Sequence, residues 1–303
     1  MENFKLISDI SNIRIDLYIS KELTQYSRNF VQKLINDNNV TVNGKMVKTN
    51  YKLKLNDEIE INVPEPKKLD VIPQDIDIDV VYEDDDIIIV NKQKNMVVHP
   101  AVGNYDGTLV NALLSYCDGK LSDINGVIRP GIVHRIDKDT TGILVVAKNN
   151  KTHEKLSELF KVHDIKRKYI AIVEGVLKRD CGVIDAPIGR HPNDRKKMAI
   201  NVKNGRNAIT HFKVLERFKN QTLVELTLET GRTHQIRVHM ASVGYPVMGD
   251  LVYGKKNKNY DLEGQVLHAK LLGFVHPTTG KYVEFEGNLP AYFKELIEKL
   301  RQE

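Results

Sequence analysis

One short segment of the chain carries side chains capable of covalent chemistry: His134, Arg135, Ile136, Asp137, Lys138, Asp139, Thr140, Thr141 and Gly142. An imidazole, a guanidinium, a carboxylate and two hydroxyls stand here between apolar runs. Ile132 and Val133 precede them and Ile143 to Val146 follow, and both runs read as buried strands. A polar insert anchored in this way is presented rather than floppy, and Gly142 permits a tight backbone turn. A lone loop aspartate is most often a turn or cap residue, but Asp137 has neighbours that complete a site. His134 and Arg135 can hold a nucleic-acid phosphate or replace a displaced base, while Thr140 and Thr141 can fix the loop through bonds to backbone. The Asp-Lys-Thr-Gly-Thr order of a phosphorylated ATPase loop is not present, and no glycine-rich nucleotide loop accompanies the segment. The candidate reactive group of the segment is a single carboxylate, Asp137, able to serve as nucleophile or as base.

Two further constellations support it. In "KRKYIAIVEG" three cations precede Tyr169 on an expected strand. An aromatic beside cations is the composition of a base-stacking groove, and also of a core tyrosine flanked by solvated lysines. In "ETGRTHQIRVHMASVGYPVMGD" Thr233 is the expected N-cap of a helix through Ala241, with Gly244 as its C-terminal glycine, so that Thr233 and Arg237 share a face. His234 and His239 are five apart, not the four that sets two ligands side by side, so a zinc site is not expected.

These segments need a scaffold. With 303 residues, 41% of them hydrophobic and 28% charged, the chain can bury a sizeable core and suits two domains. Its net charge of +5 permits a nucleic-acid partner without requiring one. Cys117 and Cys181 are too few for a disulfide framework, and neither a signal-peptide core nor a membrane-length apolar run is present, so a cytoplasmic location is expected. The first 62 residues read as two short helices, from Arg14 and from Ser27, on a bent sheet with turns at Asn43-Gly44 and Asn56-Asp57. Charges through Glu65 balance at nine basic and nine acidic, yet Lys45, Lys48, Lys52 and Lys54 gather on the hairpin side. They suit either phosphate contacts or a solvated strand edge. A proline-rich linker at 63–75 leads to a third region, 76–303, in which strands dominate and few alternate with full helices. The expected class is therefore α+β, with a mixed, mainly antiparallel sheet rather than a doubly wound parallel one.

The first region resembles the S4 RNA-binding domain in its Arg14-x-Asp16, Ser27-Arg28, Val40 to Gly44 and late Asp57. The resemblance implies RNA contacts from Arg28 and its helix face, with Arg14 and Ser27 nearby. From Val80 onward the chain resembles the RluA-type pseudouridine synthases, including the RluD-like large-subunit rRNA enzymes. Their motif HR-Leu-D-x-x-T-Ser-G stands here with Ile136 and Thr141 as conservative departures. Their K-x-Y-x-A-x-V-x-G is matched around Tyr169, and GRTHQIRVH is intact from Gly231 to His239. His134 argues against the related small-subunit branch, where a glycine precedes the Arg-Leu-Asp.

The resemblance implies isomerisation of uridine to pseudouridine in RNA, with 23S rRNA or a large-subunit precursor favoured over tRNA, and needs no cofactor and no metal. It makes Asp137 catalytic, Arg237 the group that keeps it ionised and oriented, and Tyr169 the ring that stacks on the flipped uracil and takes part in C5 deprotonation. Arg135 would fill the space the base leaves and Leu267 would close the pocket; His134, Thr140, Arg232 and His234 are expected to bind substrate. No protein partner is implied, and a monomer is expected. Two alternatives remain in view: a catalytically silent S4-containing assembly factor, and a metal-dependent RNA hydrolase, against which the scattered histidines speak.

Overall fold

The computed structural model describes residues 2–63, 71–101, 103–124, 129–194, 197–255, 257 and 259–303. The chain divides into two compact units, Met1–Lys68 and Leu69–Glu303. Most of the expected linker, residues 64–70, lies outside the described residues.

The first unit contains β1 (Glu2–Ile7), α1 (Ile15–Glu22), α2 (Arg28–Asn36), β2 (Val40–Val42), β3 (Lys45–Met46) and β4 (Glu58–Val63). Its antiparallel sheet runs β1-β4-β2-β3. β4 shows why it packs: Ile59, Ile61 and Val63 face inward while Glu58, Glu60 and Asn62 face out, and the inward side meets Ile15, Ile19, Val31 and Ile35 of the helices. Asn43 and Gly44 both have positive φ, 49° and 70°, as a two-residue hairpin turn of mirror-image type requires. Ser27 caps α2 by accepting from the Phe30 N–H. Asp57 ties the turns together, accepting from Asn43 Nδ2, Tyr51 Oη and the Lys54 backbone N–H.

The second unit contains β5 (Val80–Glu83), β6 (Ile87–Lys92), α3 (Leu109–Tyr116), β7 (Thr141–Ala147), α4 (Asn150–Val162), β8 (Lys166–Glu174), β9 (Cys181–Asp185), β10 (Ile188–Arg190), β11 (Met198–Ile200), β12 (Ile209–Arg217), β13 (Gln221–Leu228), α5 (Gln235–Ser242), β14 (Leu267–Val275), β15 (Tyr282–Glu286) and α6 (Ala291–Arg301). Nine strands form one sheet in the order β5-β6-β7-β14-β8-β13-β12-β9, with β15 also on β14. Every pairing in it is antiparallel except β7 with β14. β10 and β11 make a separate ribbon. β7 is buried along its whole length, Thr141 to Ala147, which fits its place inside the sheet.

Three local expectations are corrected. The apolar residues before the Asp137 segment do not form a strand; Ile132 makes an isolated bridge to Val146, and Gly131 accepts from the Ala147 N–H. Gly142 serves no turn. It stands inside β7 with φ +117°, and a Cβ there would lie 2.3 Å from the Ala269 carbonyl oxygen, so glycine is what lets β7 and β14 touch. Finally, α5 is not capped by Thr233. It begins at Gln235 after His234 in a left-handed conformation, because the Gln235 side chain folds back to accept from the Arg232 N–H and the Thr230 hydroxyl.

Candidate active site

Asp137 sits in the turn that leads into β7, closed by the Thr140 N–H donating to the Asp137 carbonyl at 3.1 Å. Three buried side chains hold that turn from behind. Lys92, at the end of β6, donates its Nζ to the carbonyls of Gln93, Met96 and Lys138 at 2.8, 2.9 and 2.9 Å. Burial pushes its pKa down to about 7, against the pull of Asp139 and Asp137. Gln265 donates Nε2 to Thr140 Oγ1, and Thr141 Oγ1 lies 2.8 Å from His268 Nδ1. The expectation that Thr140 and Thr141 fix the loop is met by partners on the segment before β14 and on β14 itself, not by local backbone.

The carboxylate of Asp137 faces α5. Arg237, in the first turn of that helix, donates Nη1 to Asp137 Oδ2 at 2.9 Å. Its other edge is spent on Asp250, with Nε to Oδ2 at 2.7 Å and Nη2 to Oδ1 at 2.9 Å. Burial opposes the Arg237 charge, but the bonds and charge of Asp250, then the charge of Asp137, outweigh it and raise the pKa. One guanidinium thus bridges two carboxylates, with Asp250 fully buried and Asp137 open to the pocket. His234 completes this side. Its Nδ1 is 2.7 Å from the Tyr253 hydroxyl, which also accepts from the Met198 N–H. Its Nε2 lies 3.7 Å from Asp137 Oδ1. Burial, more than the opposing pull of Asp137, lowers the His234 pKa.

Asp137 opens into a pocket whose polar wall is made by Arg135, Asp137, Thr140, Arg232, His234 and Arg237. The apolar wall comes from Tyr169, Leu228, Ile236 and Leu267. Tyr169 stands on β8 opposite Leu226 of β13 and Ala269 of β14. Burial raises its pKa, with Asp137 adding to the effect and Arg167 opposing it, so the phenol keeps its proton at neutral pH. Arg135 is exposed. The pocket therefore offers a flat aromatic and aliphatic slot on one side and an oriented carboxylate with donors on the other.

His134 is corrected. Its ring stacks on Phe160 of α4 with centroids 4.3 Å apart, and its Nε2 accepts from the Val145 N–H. Burial, then the charge of Arg167, holds its pKa down to about 3. It supports the loop rather than lining the pocket. Asp250, Tyr253, Gln265 and Lys92 were not singled out in the sequence.

In the first unit, Asp16 is wholly buried and receives Arg14 Nε and Nη2 at 2.9 and 3.0 Å, Arg28 Nε and Nη2 at 3.1 and 3.0 Å, and Gln32 Nε2 at 2.6 Å. Burial opposes its ionisation, but these bonds prevail and hold its pKa down to about 2. Two guanidinia on one carboxylate leave one net positive charge, and each is nearly half exposed. The Ser27 side chain is engaged as a cap, while Lys45 and Lys48 are exposed. Among the described residues the trio Asp84, Asp86 and His276 is close enough to hold a cation, but its atoms already serve turns: Asp84 accepts from Asp86 and Ile87, and His276 from Thr278 and Thr279.

The pocket thus sets one carboxylate, fixed by an arginine, opposite a tyrosine on a mixed sheet, and comparison with known proteins shows the family that carries it. The pattern of the RNA pseudouridylate synthase family matches residues 86–242, and that of the S4 domain matches residues 13–59. The chain belongs to the RNA pseudouridine synthase family. It is 53% identical to the uncharacterized RNA pseudouridine synthase YlyB of Bacillus subtilis, over 95% of this chain and 94% of that one. It is 44% identical to ribosomal large subunit pseudouridine synthase D of Zymomonas mobilis, over 99% and 97%. Among solved structures, human RNA pseudouridylate synthase domain containing 1 superposes with a TM-score of 0.60 at 26% identity, covering 78% of this chain and 98% of that one.

Proposed function

We propose that the protein converts one or a few uridines of 23S rRNA, or of its precursor, to pseudouridine, with Asp137 as the essential group. The observation that carries this reading is the Asp137 carboxylate on the pocket wall, bonded by Arg237 and facing the slot closed by Tyr169 and Leu267. The large-subunit substrate is supported by the name and full-length similarity of the Zymomonas mobilis relative.

The target uridine must leave the RNA stack, at a cost of a few kcal/mol. Exposed Arg135 at the mouth of the pocket takes the space the base leaves. The uracil stacks on Tyr169, which returns ~1–3 kcal/mol, comparable to the extrusion cost. Cleavage of the N1–C1′ bond builds positive character at C1′, which the oriented carboxylate stabilises. The base turns within the slot, C5 bonds to C1′, the C5 proton is lost and N1 takes up a proton, so the product is an isomer and no outside reagent is consumed. Arg237, with the His234 ring beside it, keeps Asp137 aimed while its charge is engaged. Thr140 and Arg232 border the base and Leu267 closes over it. In the first unit, read as an S4 domain over residues 1–62, the exposed edges of Arg14 and Arg28, with Lys45 and Lys48, hold RNA backbone. Residues 63–75 serve as linker and 76–303 as the catalytic domain. The protein works as a cytoplasmic monomer.

The test compares rRNA from cells carrying the wild-type protein with rRNA from cells carrying only Asp137→Asn, mapping pseudouridine by carbodiimide-dependent reverse-transcriptase stops. Loss of one or a few 23S stops is expected. An unchanged map with the variant still bound to pre-ribosomal particles would favour the silent assembly factor.

A further inference from the structure

The buried polar groups of the pocket wall are answered by hydrogen bonds, but one neighbouring buried cation is not. Arg167 stands on β8 two residues before Tyr169, hence on the same face of the strand. It is only 8% exposed, and its Nε and Nη2 are buried with no hydrogen-bond partner. Its Nη1 lies against Gly231, where a Cβ would sit 2.5 Å away. Gly231 begins the loop whose next residues, Arg232 and His234, line the pocket. Arg232 is close enough that its charge acts on Arg167, and it too has only a backbone carbonyl, that of Asn207, on its Nε. His163, left-handed at the end of α4, adds a buried Nδ1 without a partner and feels both arginines. A buried guanidinium with unanswered N–H groups is costly. The half-buried positive charge of Arg232 beside it adds to that cost.

We propose that Arg167, flanked by Arg232 and His163, receives a phosphodiester of the RNA strand adjoining the flipped uridine. The inference rests on the reading that the pocket takes a uridine of RNA. Two phosphates flank every extruded ribose, and the planar fork of an arginine matches a phosphate in a bidentate manner. A base edge would not answer the assembled positive charge, whereas a phosphodiester neutralises it. Tyr169 then grips the base and Arg167, from the same strand, the backbone, so that β8 sets the distance between them.

The experiment uses the full-length protein and a synthetic uridine-containing large-subunit rRNA hairpin that it binds, with a neutral methylphosphonate placed in turn at each phosphate around the extruded uridine. Wild-type affinity is expected to fall about tenfold for one position. Arg167→Met should lose a similar factor with the unmodified hairpin and show no further loss at that position, and its log affinity against log salt should be shallower by about 1. Arg167→Lys, which keeps the charge and not the fork, should retain part of the position-specific loss, and it answers the question if the Met variant is poorly folded. Loss of affinity with an unchanged methylphosphonate profile would overturn the proposal and leave Arg167 a structural residue. Turnover is scored separately: binding without conversion would refute the synthase reading, and the phosphate profile would still return one of those two answers.

Discussion

Asp250→Asn isolates the contribution of the second carboxylate on Arg237. Asp250 is fully buried and its oxygens accept four N–H groups: Oδ1 takes Arg237 Nη2 and the backbone of Val252 and Tyr253, and Oδ2 takes Arg237 Nε at 2.7 Å. An asparagine keeps its oxygen where three donors converge, which turns its NH2 toward Arg237 Nε, donor against donor. One charge-assisted bond worth ~1.5–3 kcal/mol is lost, and breaking a buried ion pair costs about 3–5 kcal/mol altogether. At roughly 2–4 °C per kcal/mol for a domain of this size the melting temperature should fall by about 6–20 °C. The rate should fall too, because Arg237 is then held on one edge only, and a misplacement near 1 Å can cost ~100-fold. Single-turnover tritium release from [5-³H]uridine-labelled RNA should slow by roughly 10- to 100-fold, with RNA affinity changed less than about threefold. A variant that melts early but turns over at the wild-type rate would refute the positioning role, and one unchanged in both would refute the buried pair.

Other consequences can be measured as directly. Tyr169→Leu should weaken use of the flipped base by ~1–3 kcal/mol, read as a 5- to 150-fold drop in single-turnover rate, while Tyr169→Phe keeps the stacking and reports only on the hydroxyl. Gly142→Ala places a methyl group against the Ala269 backbone at a positive φ and should cost more than about 3 kcal/mol in denaturant unfolding. Burial holds His268 and, with the charges of Arg129 and Arg135, His99 neutral down to about pH 4. The unfolded chain takes up those protons near pH ~6.5, so stability is full above that pH and declines between 6.5 and 4, by about 3 kcal/mol for each histidine. A melting temperature independent of pH across that window, or a His268→Asn variant with an unaltered slope, would contradict it.

The residues that touch the pocket were legible because they are packed into contiguous motifs: Asp137, Tyr169 and Arg237 each stand inside a run with its own periodicity. Their supports were not. Asp250 meets Arg237 across a turn with no regular spacing, and Gln265 reaches Thr140 over 125 positions of sequence. Lys92 read as one more strand-end lysine, since nothing local announces three carbonyls converging on it. The helix start was misplaced for the same kind of reason, as the Gln235 side chain does the work a cap residue would do. His134 was assigned to substrate because it adjoins Asp137 in sequence; the backbone direction there sends it to Phe160 instead. In the fold, strands with clear alternation were visible, as was β7 from its unbroken apolar run, whereas β14, covered on both faces and interrupted by His268 and Lys270, was not. An alternating pattern reports a half-buried strand and is silent for one covered on both sides.

That central strand has a consequence for how the molecule is made. β14 lies between β7 and β8 yet is among the last segments to leave the ribosome. Until it arrives, β8 shows an unpaired edge, and the backbone seat beside Gly142 stands open. Synthesis at roughly 5–20 residues per second leaves those edges bare for about 5–20 s, time in which they can pair with another chain. The aspartate, made early, therefore waits for residues far downstream before it faces a finished pocket, and shortage of chaperone should deplete this protein before it affects proteins whose sheets grow outward in chain order.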